Sequence, residues 1–419
     1  MHIPTLLAAL IPATAAYTKL SDSSLKSLPS PGSDFDIKTG ALLSPLLTVR
    51  VPGTPGIAAV QAHFVTFFQT HLPSWKLSFQ NSTQPTALGR PLPFVNIVAT
   101  RDPPWAKQGD VGRLALVAHY DSKIDPPGFI GATDSAAPCA MILHAARSVD
   151  AALTRKWEAM KSAGQTGSLE GEKGVQIILL DGEEAFLNWS DEDSLYGARA
   201  LAASWEQATN PAMSTFRTPL SEISLFLLLD LLGSRNPSVP SYFKTTHWAY
   251  QNMASAETRL RALKLFKSSP NHPSRKKAPA KNSKGGAPAR EAREPKFLPE
   301  ANKKDTATWL GGLIQDDHIP FMAKGVEVLH MIPDPFPTVW HRIDDDGAHL
   351  DGATVEDWAL LVTAFAAEWL DLEGYLAAKP VMKREVGGEG EAEVVMGGTE
   401  TDARPEPVEV QGRSELSNF

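Results

Sequence analysis

The sequence predicts an α/β fold: a single domain on a twisted, mixed but mainly parallel β-sheet flanked by helices. Two observations carry that expectation. Apolar runs of strand length alternate along the chain with longer segments whose apolar residues recur at helical spacing. Acidic residues and a histidine then fall where several of those runs end, and ligand sites in open α/β sheets lie outside the carboxyl ends of the strands. A chain of 419 residues, 42% of them hydrophobic, is ample for a buried core.

In order along the chain, residues 57–72 form the first helical pattern, followed by strand-like runs at 94–100 and 113–119. A helix is expected over 135–160, a strand over 175–181, a helix over 194–208 and a strand over 223–231. Residues 246–265 are helical, 326–332 form a strand, and an amphipathic helix closes the pattern at 355–377. No internal repeat is evident.

Three segments fall outside this alternation. Residues 1–16 read as a signal peptide: an apolar stretch over 3–11, too short to span a bilayer, precedes Ala13-Thr14-Ala15-Ala16, although the leading residues hold no Lys or Arg. Secretion is the expectation, with a catalytic domain over 17–380 and no membrane span. Residues 267–304 carry 11 basic and 3 acidic residues among Pro, Ser, Gly and Ala, which predicts a disordered basic insertion within that domain. Binding of a polyanion is its alternative reading. Residues 381–419, rich in Gly and Glu, read as a disordered tail.

The net charge of −8 argues against a nucleic-acid footprint. A single cysteine, Cys139, excludes an intramolecular disulfide and suits a small buried hydrophobe better than a nucleophile. On a secreted chain Asn81-Ser82-Thr83 is a usable glycosylation sequon, whereas Asn188-Trp189-Ser190 sits among residues that carry chemistry.

The chemistry is concentrated in two short stretches. Asp181, Glu183 and Glu184 end an apolar run, and three carboxylates so close repel one another in a partly buried cleft unless protons or a cation neutralise them. His341 follows Trp340 in a Pro-stiffened loop, and Asp134 stands before a helical pattern, where a plain N-cap is the competing role. Two carboxylates and an imidazole suit zinc with one position left open.

Ala118-His119-Tyr120-Asp121-Ser122-Lys123, Gly131-Ala132-Thr133-Asp134-Ser135-Ala136, Asp181 to Phe186, Asp193 to Gly197, Ile314 to Phe321 and Phe336 to His341 together resemble glutaminyl-peptide cyclotransferase, a zinc enzyme family with the zinc aminopeptidase-like fold. The matches keep the family's order from about 93 to about 372. The chain departs from secreted animal relatives at Ala118, where they place a cysteine.

That resemblance implies one zinc ion on Asp134, Glu184 and His341, and Glu183 as general acid/base with Asp316 and Asp230 as hydrogen-bonded carboxyls beside it. It implies a substrate pocket walled by Trp189, Phe336 and Trp340 and contacted by Gln315, with Asp317 and His318 in support. The implied substrates are peptides and proteins with N-terminal glutamine, and slowly glutamate, and the expected state is a monomer. Two alternatives stay open. His119 with Asp230 is a possible second metal site, as in di-zinc aminopeptidases of the same fold, and a non-catalytic relative would bind peptide N-termini only.

Overall fold

A computed structural model describes residues 17–167, 172–275 and 292–376 of the chain. Six strands form one sheet: β1 (Lys76–Pro85), β2 (Pro91–Arg101), β3 (Val111–His119), β4 (Glu172–Leu180), β5 (Ile223–Leu229) and β6 (Val328–Met331). Their spatial order is β1-β2-β4-β3-β5-β6. Strands β4, β3, β5 and β6 run parallel, and β1 and β2 close one side through antiparallel pairings. The mixed, mainly parallel sheet expected from the alternation is present.

Each of the five expected strands is found. Strand β1 was not expected, because Lys76 to Pro85 is polar and shows no apolar run. It exists as an edge strand, paired over ten register positions with β2 after a tight return in which Thr86 donates its N–H to Arg90 O at 3.3 Å. An edge strand with little burial carries no hydrophobic signature.

The helices are α1 (Asp22–Ser27), α2 (Pro55–His71), α3 (Ala137–Ser162), α4 (Tyr196–Gln207), α5 (His247–Ala262), α6 (His318–Met322) and α7 (Gly352–Trp369). On one face of the sheet, Leu114, Leu116, Ala118, Ile177 and Leu227 share a core with α2, α3, α5 and α7. On the other, Ala115, Val117, Ile178 and Leu228 pack against Ala198, Leu201 and Ala202 of α4 and Phe321 of α6. Both faces are thus covered, as strict alternation of side chains along β3 requires. The final helix is shorter than expected: α7 stops at Trp369 and Leu370 caps it.

The basic insertion is narrower than the composition suggested. Phe297 and Leu298 are fully buried, with the Phe297 ring stacked on Trp358 at 5.2 Å and near Phe266 at 5.6 Å. The N–H groups of Lys267 and Ser268 both donate to the Asp357 carboxylate. Residues 267–275 and 292–304 therefore belong to the folded body: two apolar residues and a set of backbone hydrogen bonds outweigh a basic average composition. Residues 276–291 lie outside the described residues, as do the expected signal peptide at 1–16 and tail at 381–419. All described residues fall in one compact unit. None of the described helices is long and apolar enough to cross a membrane.

Candidate active site

The parallel strands end in register, with His119 opposite Leu180 across β3 and β4 and Leu228 opposite Val117 across β5. His119, Asp181 and Asp230 are consequently released together at the carboxyl ends of the parallel strands. Gly182 turns the chain there with φ +77°, and a Cβ at this position would lie 2.4 Å from the Phe94 ring, so only glycine fits. The turn separates the three carboxylates that the sequence crowds together. Asp181 points away and accepts the N–H of Val95 at 2.8 Å, while Glu183 and Glu184 enter the cleft. Their backbone N–H groups both donate to Asp121, at 3.0 and 3.2 Å.

Asp134 lies in a distorted turn, Ala132–Ala136, whose φ/ψ values at Asp134 and Ser135 are non-helical. The N-cap of α3 is Ala136, so capping is not the role of Asp134. Gly131 makes the turn possible: at φ +63° its missing Cβ would stand 2.0 Å from Asp134 O. His341 Nε2 is 3.6 Å from both Asp134 Oδ2 and Glu184 Oε2. The three side chains offer ligand atoms within 4.8 Å of one another.

Asp134 Oδ2 and both Glu184 oxygens are buried without a hydrogen-bond partner, the nearest cation to Glu184 being the Lys123 ammonium at 3.4 Å. Buried carboxylate oxygens of this kind are costly unless a charge meets them. Burial and the charge of Asp134 push Glu184 well above the usual carboxylate range, and burial pulls His341 below the ordinary histidine value. Two carboxylates and a neutral imidazole converging on one point fit a divalent cation, zinc by donor chemistry.

Glu183 is pushed well above its ordinary value, first by burial and then by the charges of Glu184 and Asp316, against the pull of His119. Asp316 is likewise raised by burial and by Asp230. It is buried, not a surface residue, and accepts from the Asp317 N–H and contacts His330 Nε2, each at 2.6 Å. Burial would raise Asp230 too, but His119 and a short hydrogen bond from Ser135 Oγ hold it below the usual range. Carboxyls so close cannot all be ionised at once, and they titrate together rather than one by one.

His119 Nε2 sits 3.0 Å from Asp134 Oδ1 and 3.4 Å from Asp230 Oδ1. With Asp121 at 3.4 Å from Nδ1, these carboxylates overcome burial and raise the imidazole well above its ordinary value. His119, Asp134 and Asp230 also form a set of candidate ligands, so a second ion has donors.

A cleft of about 540 Å³ opens over these groups. Glu183, Asp134, Asp230 and His341 face it, and Trp189, Gln315, Phe336 and Trp340 wall it. The Trp189 indole N–H donates to Gln315 Oε1 at 2.5 Å, Phe336 meets Trp340 edge-on at 4.8 Å, and Trp340 stacks on His341 at 4.0 Å. Asp193 holds the Trp189 loop by accepting the N–H groups of Phe186, Leu187 and Asn188. Every residue expected at the site is thus found in or beside the cleft. Asp317 and His318 are buried behind it, with His318 packed on His330 at 4.5 Å and neither residue's polar side-chain atoms hydrogen-bonded.

Sequence reasoning passed over four supporting residues. Asp121 was visible in its motif but its role as acceptor for two neighbouring N–H groups was not. His330 lies in an ordinary apolar strand. Asp345 accepts the N–H and hydroxyl of Thr133, at 2.8 and 3.0 Å, tying the Asp134 turn to the His341 loop. Arg50, fully buried, donates to the carbonyls of Leu46, Tyr120, Ile130 and Gly131. Nothing local distinguishes an arginine in a loop as a buried tie.

Comparison with known proteins places this geometry among relatives. The model of the family described as Peptidase family M28 matches residues 96–275 and 290–366. A glutaminyl-peptide cyclotransferase-like protein of Bos taurus is 37% identical over 79% of this chain and 74% of its own. The glutaminyl-peptide cyclotransferase of Gloydius blomhoffii is 35% identical over 79% of this chain and 80% of its own. The crystal structure of Macrostomum lignano glutaminyl cyclase superposes with a TM-score of 0.66 at 30% identity, covering 88% of this chain and 97% of that one.

Proposed function

The chain belongs to Peptidase family M28, and from that premise we propose that it is a zinc-dependent glutaminyl-peptide cyclotransferase, converting N-terminal glutamine, and more slowly glutamate, of peptides into pyroglutamate. The observation that carries the reading is the aromatic-walled cleft of Trp189, Phe336 and Trp340, in which Glu183 stands beside the convergent set Asp134, Glu184 and His341. Aromatic walls suit a neutral side chain and shed water where it packs against them.

Zinc held by Asp134, Glu184 and His341 would supply Lewis-acid polarisation of the glutamine γ-carboxamide carbonyl. The chain's own residues do the rest. The aromatic walls and Gln315 hold the side chain folded back toward its own α-amine, so that most of the entropic cost of ring closure is met on binding. As the amine nitrogen bonds to the γ-carboxamide carbon, Glu183 takes a proton from it and delivers that proton to the departing ammonia. Burial and the charges of Glu184 and Asp316 hold the Glu183 carboxyl above its ordinary value, so that it can keep that proton between the two transfers. Secretion is part of the reading, supported by the apolar N-terminal stretch.

His119 supports a second reading, a di-zinc aminopeptidase, because His119, Asp134 and Asp230 could hold another ion. Incubation of the purified protein with Gln-peptides and Leu-peptides separates the two. Ammonia release and ring closure on the Gln-peptide, without free leucine from the other, is the expected result. Release of leucine without cyclisation would replace this reading by the second, and neither product from the zinc-loaded protein would leave a binding protein.

A further inference from the structure

The free edge of the sheet carries a pattern that catalysis leaves unused. Strand β1 ends the sheet, and among the described residues no strand lies beyond it. Its pairing with β2 sets Leu77, Phe79, Asn81 and Thr83 on one face, opposite Ala99, Ile97, Val95 and Pro93. That face leads inward to the main core, where Ile97 is fully buried and Leu77 and Val95 pack against it. At the edge the cover runs out: Phe79 is 49% exposed, and Asn81 and Thr83 are exposed beside it. An open aromatic ring thus stands two residues before the asparagine of Asn81-Ser82-Thr83, and the threonine of that sequon stands two residues after it.

We propose that Asn81 carries an N-linked glycan whose first sugar packs on the Phe79 ring, with the Thr83 methyl on its other side. The inference rests on the secretion reading, since the transfer takes place in the secretory pathway, and is independent of the reaction in the cleft. In that transfer the Asn81 amide nitrogen bonds to the anomeric carbon of a lipid-diphosphate-linked oligosaccharide. The anomeric C–O bond breaks, and the amide proton leaves with the lipid diphosphate. Alternate residues of a strand stand about 7 Å apart on one face, so a pyranose ring rooted at Asn81 lies between Phe79 and Thr83. The face of the aromatic ring is negative and the C–H groups of the sugar are weakly positive, so the two attract as both shed water. Phe79 is the one aromatic side chain of the strand, and the opposite face, Ser78, Gln80, Ser82 and Gln84, is polar.

The test expresses the full chain in a eukaryotic host that glycosylates secreted proteins. Asn81 is mapped by mass spectrometry before and after peptide N-glycosidase, which turns a glycosylated asparagine into aspartate. Melting curves then compare the protein, its glycan trimmed to one sugar by an endoglycosidase, with Asn81→Gln. The single sugar is expected to raise the melting temperature by roughly 1 to 3 °C, the scale of one aromatic contact in a body of this size. In a Phe79→Ala background the rise should vanish, and in Phe79→Leu, which keeps apolar bulk without a ring, most of it should be lost. A secreted protein with Asn81 bare would overturn the assignment, as would a sugar that leaves the melting temperature unmoved or a rise that survives in both Phe79 variants. A chain kept inside the cell with Asn81 bare would count against secretion and against the glycan with it, while ring closure is read separately from the same preparation.

Discussion

Replacing Glu183 by glutamine is the sharpest test of the mechanism, because the structure separates this residue's chemistry from its architecture. Its backbone N–H is held by Asp121 at 3.0 Å whatever side chain it bears, and the carboxyl is 7% exposed among Glu184, Asp316 and Asp317. The amide fills the same space but cannot carry the proton from amine to ammonia. General acid/base groups contribute about two to four orders of magnitude, or about 3 to 5 kcal/mol in the barrier, and a loss of that size in kcat is expected. Zinc content should stay at the level of the unaltered protein, since the ligand set is Asp134, Glu184 and His341. The thermal midpoint should hold or rise, because a buried carboxyl surrounded by three others has been neutralised. Ammonia release, metal analysis and a melting curve on one preparation read all three. Turnover within about tenfold of normal with zinc intact would remove proton transfer by Glu183 from the mechanism.

Four further outcomes are expected. In His119→Ala, one firmly bound zinc and much of the cyclase activity should remain, and finding two ions in the unaltered protein, with loss of one in the variant, would establish the two-metal reading. Replacing residues 276–291 by a short Gly-Ser linker should change stability by no more than about 1 kcal/mol, because loop closure depends weakly on length and Asn271 already binds both the N–H and the carbonyl of Ala292. Phe297→Ala, in contrast, should cost about 3 to 5 kcal/mol in denaturant unfolding, and a loss under about 1 kcal/mol would deny that this stretch is core. His144 is buried against Phe35 and burial lowers it to about 4. The unfolded chain therefore takes up a proton below the ordinary 6.5 while the folded chain does not until about 4, so stability present above pH 6.5 is lost as the pH falls through that window. Between pH 6.5 and 5 the loss from this group is about 2 kcal/mol, and a pH dependence equally steep in His144→Leu would show that other groups set it.

The parallel strands were legible because each buries both faces and so reads as an apolar run, and the site motifs because ligand, acid/base and aromatic residues each stand in a short string of characteristic neighbours. What escaped was held by relations between distant segments. β1 is stabilised by backbone pairing, which leaves no side-chain pattern. Phe297 and Leu298 were submerged in a basic average although two apolar residues suffice to anchor a strand of coil. The separate fates of Asp181, Glu183 and Glu184 follow from the turn at Gly182, and a string of letters shows three acids without showing that the first faces away. His330, Asp345 and Arg50 act on the site through residues tens to hundreds of positions away, so no local spacing announces them.

Arg50 has a consequence for where this enzyme can be cut. The stretch that matches Peptidase family M28 starts at residue 96, and every proposed ligand and acid/base group lies after that point. Yet a guanidinium from position 50 gathers the carbonyls of Tyr120, Ile130 and Gly131, which flank the two turns carrying Asp121 and Asp134. A fragment trimmed to the matching segment would retain all the reactive groups and leave those carbonyls facing a hole where their donor had been. The smallest working unit thus reaches back to the short 3-10 helix Ser44–Leu46, whose Leu46 carbonyl anchors the same arginine, and the borders of the catalytic machine are drawn by its hydrogen bonds.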